Sequence, residues 1–246
     1  MPVCRDFQFF DIVDIDKIKA VVFDADDTLW SNEPFFRGAE KACYEVLSGF
    51  GPEEHIAKEL FRTEMDNMRE LGYGAKSFII SMIETAIRVS SGKVSAGQIL
   101  QIEQAGRKIM RNPATPYPGV AETLDALEKS GRYALAVLTK GELLDQHNKM
   151  DRSGLGKFFS FVEVVNEKTE EVYREMCDRL FVTPGEMLMV GNSFRSDIDP
   201  VLKMGGNGIY IPSVMTWQHE VIEEYEHSCL IKVSRFQDLA GILLPD

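Results

Sequence analysis

Three carboxylates fall within four residues of the run Phe23-Asp24-Ala25-Asp26-Asp27-Thr28. Crowded carboxylates raise one another's pKa or call for a cation. A hard divalent ion with oxygen ligands relieves the repulsion, and Mg2+ is the usual choice where phosphate is the other partner. Asp24 and Asp26 can also divide labour in an irregular turn. One can be a nucleophile beside the metal, the other a general acid and base. Turn or helix-capping aspartates are the plain alternative.

A second acidic run, Met189-Val190-Gly191-Asn192-Ser193-Phe194-Arg195-Ser196-Asp197, offers oxygen ligands at Asn192 and Asp197. Its plain alternative is a β–α loop capped by Ser193 or Ser196. Between the two runs, Thr139-Lys140-Gly141 follows the apolar Ala-Val-Leu, and Lys168 follows Phe161–Glu167. A hydroxyl, nearby backbone amides and an ammonium suit a phosphate dianion. Taken singly, Thr139 is better read as a helix N-cap and Lys168 as a solvated lysine. Their order argues otherwise, because acid pair, Thr, Lys and acidic loop each end a successive expected strand.

Those strands are Ile18–Phe23, Tyr133–Thr139, Phe161–Val165, Met187–Asn192, Gly208–Ile211 and Cys229–Val233. They are short apolar runs without alternation, as expected of strands buried on both faces. Helix-period segments separate most of them, such as Val120, Leu124 and Leu127, or Val172, Met176 and Leu180. The alternation implies an α/β fold, a Rossmann-like parallel sheet with helices on both faces. In such a sheet the strand ends share one edge, where ligands bind.

From Asn32 to Met110 the alternation stops and four helices are expected: Glu33–Leu47, Glu53–Leu71, Lys76–Val89 and Ser95–Met110. Ser31 or Asn32 is a plausible cap for the first. The run Arg-Asn-Pro-Ala-Thr-Pro-Tyr-Pro-Gly at 111–119 breaks helix and reads as a linker. The expected organisation is an α/β core over 1–31 and 113–246, with a four-helix cap over 32–112 above the strand ends.

The chain has 246 residues, 44% of them hydrophobic and 27% charged, which suits an ordinary globular protein with one insertion. Its net charge of −12 repels phosphate backbones and argues against a nucleic-acid partner. Cys4, Cys43, Cys177 and Cys229 form no CxxC pair, so neither a disulfide framework nor a zinc site is expected. His55, His147, His219 and His227 show no metal-ligand spacing. No apolar run reaches the roughly 18–20 residues of a membrane span. The opening run, residues 1–17, is broken by charges and lacks a signal-peptide core, so a soluble cytoplasmic protein is expected. Ser213–Ser228 reads as a solvated helix packed by Trp217 and Tyr225, with a lid as the alternative. Phe35, Phe36, Met65, Met68 and Met82 read as core, with Phe35 and Phe36 facing substrate as the alternative.

The motifs VVFDADDT, AVLT, Lys168 and VGNSFRSD, in that order from Val21 to Asp197, resemble the haloacid dehalogenase superfamily. The helical insertion after the first strand is similar to that family's cap. The resemblance implies Asp24 as nucleophile, forming an aspartyl-phosphate, and Asp26 as acid and then base. Thr28 would orient the loop, while Thr139, the Lys140 amide and Lys168 would hold the phosphoryl oxygens. Mg2+ would be held by Asp24, the Asp26 carbonyl, Asn192 and Asp197. The implied activity is hydrolysis of a small phosphorylated metabolite. A phosphomutase or a catalytically weak phospho-ligand-binding protein are the alternatives. Dehalogenases of the superfamily lack the second aspartate, so Asp26 favours phosphoryl transfer.

Three departures stand out. Asp27 replaces the usual glycine, and Asp tolerates unusual backbone angles better than most residues. Asn192 stands where an aspartate is common, so Asp197 is expected to carry more of the metal. Thr169, not proline, follows Lys168 and is expected to cap its helix.

Overall fold

The computed structural model describes residues 13–213 and 217–244. Cys4 and the opening run to Ile12 lie outside the described residues, as do 214–216.

All six expected strands form: β1 Ala20–Phe23, β2 Ala134–Lys140, β3 Phe161–Val165, β4 Met187–Gly191, β5 Asn207–Tyr210 and β6 Leu230–Lys232. They build one parallel sheet in the order β3-β2-β1-β4-β5-β6. Every residue of β1 is fully buried, as a central strand covered on both faces must be. Side chains alternate between two apolar layers. Val21, Phe23, Val137 and Val190 join Leu124 and Leu127 of helix Val120–Ser130 on one face. Val22, Ala136, Leu138 and Met189 join Tyr173 and Met176 of helix Glu170–Leu180 on the other.

Between β1 and β2 come α1 Glu33–Leu47, α2 Glu53–Leu71, α3 Ala75–Val89 and α4 Ala96–Met110, within a residue of their expected bounds. α1 packs on α4, α2 on α3 and α3 on α4. They share a separate apolar cluster that includes Cys43, Leu47, Ile56, Leu60, Met82 and Ile102. Ser95 and Gln98 close a reciprocal capping box at the start of α4. The core continues with α5 Val120–Ser130, α6 Leu143–Ser153, α7 Glu170–Leu180, α8 Asp199–Lys203 and α9 Leu239–Leu243. Thr169 caps α7 through Val172 N–H, as expected.

The two chain crossings between sheet and helices are tied together. Asn112 Nδ2 donates to the Ser31 carbonyl at 2.9 Å and to Asn32 Oδ1 at 3.2 Å. Pro116 bridges to Trp30 within the proline-rich run. No described helix is long and apolar enough to cross a membrane.

Two expectations need correction. Asn32 occupies the N-cap position of α1, but its side chain makes no cap bond. The Asp27 carboxylate does this instead, accepting from the backbone N–H of Asn32 at 2.8 Å and of Glu33 at 3.0 Å. The stretch read as a solvated helix forms a short 3-10 turn, Gln218–Glu220, and then irregular chain to His227. Trp217 and Glu220 face the site described next, so the aromatic packs there and not on a helix.

Candidate active site

The C-terminal ends of β1, β2 and β4 open into a cavity of about 200 Å3, with the α1–α3 helices opposite. Asp24, Asp26, Thr139, Lys140, Lys168, Asn192 and Asp197 all line it. Thr28 lies just behind, donating its hydroxyl to Asp24 Oδ2 at 2.9 Å. All eight residues expected from sequence therefore gather at one sheet edge.

Lys168 joins the two acidic runs. Its Nζ is 2.6 Å from Asp24 Oδ1 and 2.6 Å from Asp197 Oδ1, and the side chain is 1% exposed. Burial works against its charge, but Asp197 and Asp24 outweigh it and hold the ammonium above the usual lysine range. Burial pushes the Asp24 carboxyl up to about 7, against the opposing pull of Lys168. A carboxyl so placed gains from a second cation.

Asp197 has both oxygens occupied. Oδ1 accepts from Lys168 and Oδ2 accepts from the Ser193 backbone N–H at 2.9 Å. Asp197 sits in a π-helical turn, Phe194–Ile198, of the kind that often marks functional sites. Gly191 makes the approach possible, since a Cβ there would lie 2.2 Å from Asp197 Oδ2.

Asn192 lies on the opposite side of Asp24. With its amide nitrogen turned inward it donates to Thr28 Oγ1 at 3.0 Å, and to Asp24 Oδ2 and the Asp26 carbonyl at 3.2 Å. Three oxygen atoms thus converge on the tip of this amide. Among the described residues no three His, Cys, Asp or Glu side chains form a ready-made metal cage. The convergent set is instead one carboxylate, one carbonyl and one amide whose oxygen can also face inward. That set fits Mg2+ in kind, because the ion takes oxygen ligands and keeps several waters.

Asp26 points elsewhere. Its Oδ1 accepts from Trp30 Nε1 at 2.8 Å, and its Oδ2 from Gln146 Nε2 at 2.8 Å and Lys149 Nζ at 2.6 Å. Asp27 adopts a left-handed conformation, φ 62°, which turns the chain after Asp26 so that its own side chain reaches α1. The tolerance expected of Asp at this position is used.

Lys140 lies deeper in the polar network than a phosphate-facing side chain would. Its Nζ pairs with Glu220, donates to Ser196 Oγ at 2.9 Å and sits 4.5 Å over the Tyr73 ring. Glu220 also accepts from Ser196 Oγ at 2.6 Å. Burial works against the Glu220 charge, but Lys140 and the hydroxyls of Ser193 and Ser196, which both donate to it, hold its carboxyl down to about 2. Thr139 is 1% exposed at the end of β2.

Several residues at or just behind the cavity wall were not readable as functional. Trp30, Gln146 and Lys149 surround Asp26, and Tyr73 and Glu220 flank Lys140. Glu33, Phe36, Glu64, Met68 and Phe78 form the helical wall. Their spacing resembles any amphipathic helix, and only the fold shows which of them reach the cavity. Met68, read as core, lines it, as does Phe36, whose alternative reading faced substrate; the Phe36 and Phe78 rings lie tilted at 5.2 Å.

Residues 18–205 match the family model of haloacid dehalogenase-like hydrolases. A glyceraldehyde 3-phosphate phosphatase of Methanothermobacter thermautotrophicus is 28% identical, over 81% of this chain and 88% of that one. A glyceraldehyde 3-phosphate phosphatase of Methanopyrus kandleri is 26% identical, over 74% and 78%. Among solved structures, a haloacid dehalogenase-like family hydrolase from Xanthomonas campestris is similar at a TM-score of 0.80. It is 34% identical and covers 92% of each chain.

Proposed function

The chain belongs to the haloacid dehalogenase-like hydrolases, and from that premise we propose that it is a Mg2+-dependent phosphatase of a small phosphorylated metabolite. The observation that carries this reading is the Lys168 ammonium, 2.6 Å from both Asp24 and Asp197 within the cavity. It draws groups that follow β1, β3 and β4 to one point of the cavity.

In this reading an Asp24 oxygen attacks phosphorus, and a P–O bond forms as the bond to the leaving alcohol breaks. Asp26 gives its proton to that alcohol. Asp26 then takes a proton from a water that attacks phosphorus, releasing phosphate and restoring Asp24. Thr139, the Lys140 amide and Lys168 hold the phosphoryl oxygens. Asp24, the Asp26 carbonyl and Asn192 would hold Mg2+; Asp197, expected from sequence to carry more of the metal, has its oxygens taken by Lys168 and the Ser193 N–H and would brace the loop instead. The ion, when bound, stabilises negative charge on the transferring group. The Asp26 side chain supports an alcohol leaving group that needs a proton, rather than a halide.

Helices α1–α4, over 32–112, act as the cap in this proposal, with 1–31 and 113–246 as the catalytic core. The cap excludes water and supplies the distal wall through Phe36, Met68 and Phe78. The substrate is a small phosphate monoester, the class to which the substrates named for the archaeal relatives belong. Purified protein given p-nitrophenyl phosphate tests the reading. Turnover that needs Mg2+ and vanishes in Asp24→Asn supports it. No turnover on this or on a panel of sugar and triose phosphates would overturn it.

A further inference from the structure

We propose that Lys149, assisted by Gln146, is the positioning residue that fixes the Asp26 carboxylate for proton transfer to the leaving alcohol. The inference rests on the phosphatase reading with Asp26 as the acid. Asp26 lies in the loop after β1, yet both donors to its Oδ2 come from α6. Lys149 Nζ is 2.6 Å from that oxygen and Gln146 Nε2 is 2.8 Å from it, while Trp30 Nε1 holds Oδ1 at 2.8 Å. A carboxylate gripped at both oxygens has little rotation left.

The Lys149 side chain is 3% exposed, and its ammonium faces two carboxylates. It is 2.6 Å from Asp26 Oδ2 and 3.4 Å from Asp145 Oδ2. A lysine serving only to balance its helix neighbour Asp145 would sit closer to that residue. Gln146 is held in turn, because its Nε2 also donates to the Lys140 carbonyl at 2.8 Å. Gly141, with φ +140°, leaves room for this, since a Cβ there would lie 2.7 Å from Gln146 Nε2. The end of β2 and α6 therefore act together on Asp26.

The two aspartates thus each have their own lysine, Lys168 for Asp24 and Lys149 for Asp26. As Asp26 passes its proton to the alcohol oxygen, and the P–O bond to that oxygen breaks, a negative charge forms on Asp26 beside the Lys149 ammonium. Lys149 then stabilises the product of the transfer as well as its geometry. That benefit matters only where the leaving group needs a proton.

The full chain with Mg2+ is tested on two esters, p-nitrophenyl phosphate and glycerol 2-phosphate, by kcat/KM. This ratio reports the steps up to departure of the alcohol. Nitrophenolate leaves without a proton, whereas glycerol does not. Lys149→Met is expected to lose at least about tenfold more on glycerol 2-phosphate than on p-nitrophenyl phosphate, a part of the roughly 10²- to 10⁴-fold that a general acid supplies. Lys149→Arg is expected to recover most of that difference, and Gln146→Leu to show a smaller split of the same sign. An equal fall on both esters in a folded variant, or no fall, overturns the inference. If Lys149→Met fails to fold, the Gln146→Leu split decides alone. Wild-type protein that turns over neither ester removes the phosphatase reading and this inference together. Wild-type turnover without the variant split removes this inference only.

Discussion

The Lys168 ammonium lies 2.6 Å from the Asp24 carboxylate, although 144 positions separate the two residues in the chain. The same ammonium meets Asp197 at equal distance, so one buried cation holds two carboxylates together. Removing it leaves both charges buried and unpaired. Lys168→Met is expected to cost about 3–5 kcal/mol in urea unfolding at pH 7, the usual range for breaking a buried ion pair from one side. A loss below about 1 kcal/mol would mean that the pair is solvated in solution.

Asp27 does two jobs at once. It takes φ 62° and caps α1 through the backbone N–H groups of Asn32 and Glu33. Asp27→Ala loses the cap, worth about 1 kcal/mol, and keeps an unfavourable backbone angle. Asp27→Gly loses the same cap but is at ease at positive φ. Thermal melts are expected to rank wild type above Gly, and Gly above Ala. The reverse order of the two variants would contradict this account of the turn.

Gly191→Ala places a methyl group 2.2 Å from Asp197 Oδ2. The Asp197 side chain must move, so Lys168 loses one of its two carboxylates and the Ser193 N–H loses its acceptor. A folded variant is expected to lose about 10²-fold in turnover, as for other misplacements of about 1 Å. Near wild-type turnover would show that Asp197 does not brace the site.

The strand ends are readable in the sequence because parallel strands announce themselves. Apolar runs of four to seven residues end in polar loops, and the topology brings such ends to one edge. Asp24, Thr139, Lys168 and Asp197 are found that way. The four helices are equally readable, since Met82 and Ala86 or Ile102 and Ile109 repeat at helical spacing and are buried. Lys149 and Gln146 are not readable. They sit on α6, a mostly polar helix, where a solvated lysine and glutamine are the ordinary expectation. Only the way α6 packs beside the end of β2 turns them inward. Glu220 is hidden for a similar reason, since an acidic stretch with scattered aromatics has no period that tells which carboxylate folds back on Lys140.

Burial raises the carboxyls of Asp24 to about 7, Asp27 to about 6, Glu33 to about 7 and Glu64 to about 8. A carboxyl raised on folding binds more protons in the folded state than in the unfolded one. Stability is then largest below the unfolded carboxyl range, near pH 4, and is lost as pH rises towards 8. Glu220, held down to about 2, opposes this only as pH falls below its ordinary value. Protein freed of divalent ions is expected to melt several degrees lower at pH 8 than at pH 5, at about 2–4 °C per kcal/mol lost. A melting point that rises over this interval would contradict the burial of these groups.

The nucleophilic role proposed for Asp24 can be tested directly. Protein turning over p-nitrophenyl phosphate with Mg2+ is quenched in acid, reduced with borohydride and mapped by mass spectrometry. An acyl phosphate on Asp24 is reduced to an alcohol, so homoserine is expected at position 24 and nowhere else. Sustained turnover with Asp24 unmodified, or conversion at another carboxylate, would contradict the account.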